Sequence, residues 1–270
     1  MASATTKPIR MCTINVHGFK NSWTFLLTLL ESHDLVFVQE LWLHDHEMHL
    51  LHSLSKEFVV YTRSGMANAV QNRIIRGRPF GGIAVFIRRT LSSLVTFCTC
   101  DDDARVICVK YVSENVKLLL FGCYFPFNDH SADYANRVAD VLGFIENVCN
   151  DYHGFNMCIL GDCNFECAMT NIGYSVFADF SDRCNLISCD DLSTRENAYT
   201  YHHETLGQRS YLDHVFISRT LKEYVCDYEI IDSAINTSDH LPVSFCLMIP
   251  CDAYQDKVHS KNSNIVRDYR

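Results

Sequence analysis

Asp162 and Asn164 stand close together in ILGDCNFE, directly after the apolar Met157, Ile159 and Leu160. A carboxylate and an amide at the open end of a strand can hold a metal ion or a water. They can equally cap a turn. If the extended chain continues through them, alternation points both to one side and Cys163 to the other. Polar residues close other apolar runs in the same way. Asn15 follows TI, Glu40 follows FVQ, and Tyr124 sits in GCYFPFN. Asp213 lies in SYLDHVF, and Asp239 and His240 close TSDHLPV. Each alone has a plain reading as a strand-end carboxylate, a turn residue or a core tyrosine. Their order and contexts, taken jointly, set them apart.

The elements that would position these residues are readable from apolar periodicity. Strands are expected over 11–18, 33–40, 57–63, 81–89, 105–112 and 116–125, with another running into Asp162. Later strands are expected at 198–203, 211–217, 225–231 and 241–249. Helices are expected over 22–32, with Ser22 as a cap, over 45–54, and over 172–184. The segment 131–152 is strongly amphipathic, with Ser131 as its candidate N-cap. Residues 64–80 read as a polar, Arg-rich loop. The order mixes β-α-β units with consecutive late strands. It predicts one α/β domain over 11–250, a four-layer sandwich of two mixed sheets packed face to face with helices outside. Residues 1–10 read as a flexible N-terminus and 251–270 as a loose tail.

Composition sets limits. With 270 residues and 48% hydrophobic content, the chain can bury a large core. A net charge of −9 and a pI near 5.8 mean that a nucleic acid would have to be met by a local patch or a metal. The opening MASATTKPIR has no apolar signal region, and no run approaches the length of a membrane span. These features predict an intracellular protein, nuclear or cytoplasmic, with no membrane role and no evident need for an obligate protein partner. The 14 cysteines include no C-x-x-C spacing, and the Cys98–Cys100 and Cys163–Cys167 intervals are poor for zinc. They read as reduced, mostly buried small hydrophobes. His44, His46, His49 and His52 recur along one short segment, where an exposed polar face is expected over a zinc site.

The ordered set Asn15, Glu40, Tyr124, GDCN, Asp213 and SDH resembles the endonuclease/exonuclease/phosphatase superfamily over about residues 10–250. Tyr124 is similar to the abasic-endonuclease-like branches, where DNase-like and sphingomyelinase-like branches carry a histidine. GRPFGGIAVFIR (77–88) and AYTYHHETLGQRSYLDHVFIS (198–218) look like the endonuclease domains of non-LTR (LINE-type) retrotransposons. The chain departs from the repair pattern at His17, where that branch has an Asp, and at Cys163, where GDFN is usual. No pocket for an abasic sugar is recognisable.

The resemblance implies a DNase I-like fold and Mg²⁺-dependent phosphodiester hydrolysis, with Mn²⁺ as an alternative ion, leaving 3′-hydroxyl and 5′-phosphate ends on duplex DNA. It implies Glu40 as a metal ligand joined by Asp239, and Asp162 as the group that orients or deprotonates water. Asn164 would fix that water or a phosphate oxygen, His240 would donate to the phosphate, and Asp213 would hold the His240 ring. Tyr124 and Asn15 would hydrogen-bond phosphate oxygens or Asp162. Arg73, Arg76, Arg78, Arg88 and Arg89 offer a local cationic patch for phosphates, and Arg209 sits on an expected hairpin beside Asp213. Other readings stay open: an abasic-site repair enzyme, a phosphatase or phosphodiesterase of the same fold, or a domesticated binding module.

Overall fold

In the computed structural model, the described residues are 5–67, 79–168, 170–192, 198–203 and 205–251. Fourteen strands and four α-helices are assigned in them. In chain order they are β1 (Thr5–Asn15), α1 (Phe19–Ser32), β2 (Leu35–Gln39), α2 (His49–Leu54), β3 (Phe58–Arg63) and β4 (Ile83–Arg88). Then come β5 (Val95–Cys100), β6 (Val106–Val112), β7 (Lys117–Tyr124), α3 (Tyr134–Asp151), β8 (Asn156–Asp162) and α4 (Ile172–Arg183). The chain continues through β9 (Leu186–Ser188), β10 (Tyr201–His203), β11 (Gln208–Ser210), β12 (Asp213–Ser218), β13 (Val225–Ile230) and β14 (Val243–Cys251).

Two six-stranded sheets form, in the orders β13-β14-β1-β2-β4-β3 and β5-β6-β7-β8-β12-β9, with β10-β11 a separate hairpin. Both sheets are covered on both faces, and the alternation along each strand shows how. In β1, Ile9 and Met11 enter the core between the sheets, while Cys12 and Ile14 pack toward α1. In β8, Cys158 and Leu160 face the other sheet, while Met157 and Ile159 pack among α3 and α4 residues such as Val138, Ile145 and Phe177. The result is the expected four-layer sandwich, helices outside and two sheets within.

Several expectations need correction. The first strand begins at Thr5, pairing with Cys251 of β14, so neither residues 5–10 nor Cys251 is a free terminus. TTKPIR is polar and contains a proline, so nothing in it reads as a strand. Until β2 joins at Met11 this stretch pairs on one side only, a position that tolerates Pro8. Periodicity does not mark β5, whose alternation is interrupted by a bulge between Phe97 and Thr99, or the three-residue β9, whereas the expected hairpin forms as β10 and β11. Ser22 lies inside α1, its hydroxyl donating to the Val16 carbonyl at 2.7 Å. Ser131 does not cap α3, which starts at Tyr134 after Asp133.

Candidate active site

The side-chain rows of the inter-sheet core run past the ends of the sheets and become polar there. Leu118 and Leu120 lead to Tyr124, Cys158 and Leu160 to Asp162, and Met11 through Thr13 to Asn15. On β12 the order reverses, with Asp213 ahead of Val215 and Ile217. Register then sets the lateral neighbours: Tyr124 is opposite Asp162 across β7–β8, and Asp213 is opposite Asp162 across β8–β12. Period-2 alternation and strand pairing thus gather these groups at one end of the sandwich.

The contacts are specific. Asn15 Nδ2 donates to Asp162 Oδ2 at 2.9 Å, and the Asn164 amide donates to Asp162 Oδ1 at 2.9 Å. Asn164 adopts a φ of 54°, leaving the strand, and its Nδ2 reaches the Phe125 carbonyl at 2.9 Å. Glu40 also turns into the left-handed region, and the Tyr124 hydroxyl donates to its Oε1. His240 Nδ1 lies 2.7 Å from Asp213 Oδ2, while its Nε2 is 3.8 Å from Asp162 Oδ2.

The SDH turn is tied back to β1. Ser238 Oγ donates to the Asn15 carbonyl at 2.6 Å and accepts from the His240 amide at 3.1 Å. Beneath the site, Gln39 Nε2 donates to Thr13 Oγ1 at 3.0 Å.

Burial makes these charges interact strongly. Asp162, Asp213 and His240 are all nearly inaccessible. Burial pushes the Asp162 carboxyl up, and Asp213 adds to this, while His240 and the Asn15 and Asn164 hydrogen bonds oppose it; the result is about 7. Burial alone would lower His240, but the Asp213 and Asp162 carboxylates outweigh it and raise it to about 10. Burial and the Glu40 charge raise the Tyr124 phenol, keeping it a donor.

The His240 shift has a consequence for stability. The folded chain holds a proton on His240 that an unfolded histidine releases near 6.5. The stability from this pair is complete below that pH and is lost as pH climbs toward about 10. Denaturant titrations across that window should therefore give a shallower fall for His240→Gln than for wild type. Parallel slopes would show that the pair does not hold the proton.

Residues 12–240 match the endonuclease/exonuclease/phosphatase family. The chain belongs to that family. Among solved structures it is similar to an AP endonuclease from Leishmania major, with a TM-score of 0.74 at 14% identity over 90% of this chain and 89% of that one. It is also similar to the endonuclease domain of TRAS1, a telomere-specific non-LTR retrotransposon, with a TM-score of 0.65 at 12% identity over 91% and 100%. A third is a 3′ phosphatase from Neisseria bound to product DNA hairpin, with a TM-score of 0.64 at 17% identity over 88% and 98%. Identities this low establish a shared fold. No curated protein matches the sequence.

Members of this family act as hydrolases, and a divalent ion fits the donor set here. Glu40 and Asp239 are only partly buried, and among the described residues neither pairs with a Lys or Arg. The deeper Asp162, Asp213 and His240 are paired with one another, although Asp213 Oδ1 has no hydrogen-bond partner. His17 shapes the outer part. Its Nδ1 lies 2.9 Å from Asp239 Oδ1, and its ring meets Trp42 edge-on at 4.4 Å. The Asp239 hydrogen bond raises the His17 imidazole against an opposing effect of burial. Burial would raise Asp239, but His17 and His240 hold it below the usual carboxylate range. With Tyr201, His203, Thr205 and Thr237, this pair lines an open cleft of about 360 Å³.

The structure thus brings together Asn15, Glu40, Tyr124, Asp162, Asn164, Asp213, Asp239 and His240. Two details differ from expectation. Asp162 ends β8 as expected but is buried there, and Tyr124 bonds Glu40 instead of Asp162. The cationic patch is not assembled as expected. Arg73, Arg76 and Arg78 lie outside the described residues. Arg88 and Arg89 sit at the far end of the sheet, since β4 runs antiparallel to β2. Arg88 donates to the Leu30 and His33 carbonyls ending α1 and pairs with Asp34 and Glu57, so it closes a helix terminus. Arg209 is exposed on β11, its guanidinium 4.4 Å from the Tyr199 ring centroid.

Two contributors were missed. Thr200 is fully buried, and its Oγ1 accepts from both the Leu212 and Asp213 amides at 2.9 Å. Tyr201 bridges to His240 and places its ring 4.9 Å from the imidazole. No spacing in the sequence marks either; both depend on how the β10–β11 hairpin docks. His49 and His52 lie on α2, and among the described residues they join no metal-binding cluster.

Proposed function

We propose that this protein is a divalent-metal-dependent endonuclease that nicks duplex DNA, leaving 3′-hydroxyl and 5′-phosphate ends, of the kind carried by non-LTR retrotransposons. The carrying observation is the pairing of a cationic donor with a near-neutral carboxylate: His240 Nε2 stands 3.8 Å from Asp162 Oδ2, and both side chains are buried. A carboxyl group near 7 is tuned to take a proton from water at physiological pH. An imidazolium held by Asp213 donates to a phosphate oxygen as charge builds on it. Asn15 and the Asn164 amide fix both oxygens of Asp162, so its orientation needs no adjustment during reaction. Mg²⁺ or Mn²⁺, held by Glu40 and Asp239, would neutralise phosphate charge. Tyr124 orients Glu40 for that task.

Substrate choice rests on two features. His17 stands where the repair pattern has an Asp, and it engages Asp239. The β10–β11 hairpin stands over the site, with the His202 amide donating to the Asp239 carbonyl at 2.9 Å. Its tip carries the exposed Leu206, and Arg209 lies on its second strand. A hairpin of this size can lie along a groove and respond to its shape and deformability.

Supercoiled plasmid incubated with the protein and Mg²⁺ should become nicked. Of matched duplexes with and without one abasic site, the undamaged one should be cut preferentially. A strong abasic preference would return the protein to the repair class. Phosphate release from 3′-phosphorylated ends or inositol phosphates without nicking would make it a phosphatase.

A further inference from the structure

Behind the catalytic strand ends, on the opposite face of β12, lies a second cluster of ligating groups. Alternation turns Asp213 toward the inter-sheet cleft and its neighbour His214 the other way, toward Phe165 and Phe216. There His214, at 1% exposure, meets Asp190 and Cys167. His214 Nδ1 is 2.7 Å from Asp190 Oδ2 and 3.6 Å from Cys167 Sγ, and Cys167 Sγ is 3.9 Å from Asp190 Oδ2.

We propose that Cys167, Asp190 and His214 bind a zinc ion. Tetrahedral zinc with bonds of about 2.0 Å to nitrogen and oxygen and about 2.3 Å to sulfur separates its ligands by roughly 3.3–3.6 Å. The two sulfur distances lie near that range, and the Nδ1–Oδ2 pair, now sharing a proton, needs to open by only about half an ångström. The mixture of thiolate, imidazole and carboxylate suits zinc and is foreign to Mg²⁺.

The surroundings favour the ion as well. His214 Nε2 donates to the Phe165 carbonyl at 2.9 Å, which directs Nδ1 toward the cluster. The Tyr228 hydroxyl donates to Asp190 Oδ1 at 3.0 Å and meets the Tyr211 hydroxyl at 2.9 Å, orienting the carboxylate. Cys167 is exposed, so a water can complete the coordination from the solvent side. Binding releases the thiol proton of Cys167 and the proton between Nδ1 and Oδ2. The ion would clamp the loop after Asn164 to the start of β12 and the turn after β9, all elements that carry or support the catalytic groups.

The test uses the full chain, freed of metal and titrated with Co²⁺, whose bond to a thiolate gives a near-ultraviolet charge-transfer band. We expect the band at one equivalent, its loss in Cys167→Ser, and its displacement by Zn²⁺. It should survive Cys226→Ser, which disables the separate Cys226–Asp227–Cys246 cluster. Tyr228→Phe should keep the band but weaken Co²⁺ binding about 10-fold or more, the scale for removing a group that orients a ligand. Because Cys167 is exposed, its serine variant should fold normally, as circular dichroism can check. Absence of the band, or a band that persists in Cys167→Ser, would overturn the assignment.

Discussion

Asp162→Asn should lose at least ~10² of the Mg²⁺-dependent nicking rate, the lower scale for removing a general base. The substitution keeps the shape of the side chain and its place opposite Tyr124 and Asp213, but removes the proton acceptor. It also turns one amide edge against a donor, since both Asp162 oxygens now accept hydrogen bonds. That costs some stability, offset because the buried carboxylate next to Asp213 is itself unfavourable, as its rise to about 7 indicates. The folded fraction at room temperature should therefore match wild type while turnover collapses. Wild-type nicking should rise through about pH 7 as Asp162 ionises and fall as His240 loses its proton near 10. Near wild-type turnover by the folded variant would remove Asp162 from the chemistry.

Gly161→Ala should destabilise the fold by at least about 4 kcal/mol, the range reserved for steric conflicts that cannot relax. Gly161 has a φ of 144°, which side-chain-bearing residues rarely adopt. A Cβ there would lie 2.0 Å from the Cys123 carbonyl oxygen on β7. That oxygen belongs to the backbone of a paired strand, so it cannot swing aside, and Gly161 is paired on its other edge with His214 of β12. The glycine thus lets β7 and β8 approach where Asp162 must stand opposite Tyr124. Urea titration of the purified variant, or its failure to accumulate as soluble protein, measures the effect. A stability equal to wild type would mean that β8 can shift without cost, and the register that aligns the site would not be fixed there.

Much of the site is legible in the sequence. Asn15, Glu40, Tyr124, Asp162, Asp213 and His240 are polar residues in or beside apolar runs, and it is the resemblance of their ordered set to one family that singles them out; alternation places strand residues such as Asp162 and Asp213 on the inter-sheet side. The layered α/β architecture followed from the same periodicity. What the sequence could not reveal was anything set by pairing between distant strands. The polar stretch at residues 5–10 becomes a strand because β14 supplies its partners. Thr200 is recognisable only once its hydroxyl sits under the Leu212 and Asp213 amides. Arg88 reads as a phosphate contact until antiparallel pairing with β2 carries it to the far end of the sheet, onto the carbonyls of α1.

Cys167 and His214 lie far apart in sequence and share no motif, yet the fold sets them 3.6 Å apart. Periodicity is a local property, carried by neighbours along the chain. Register and docking depend on which strands meet, and they alone decided that Tyr124 serves Glu40 and that the inward-facing Asp162 is buried.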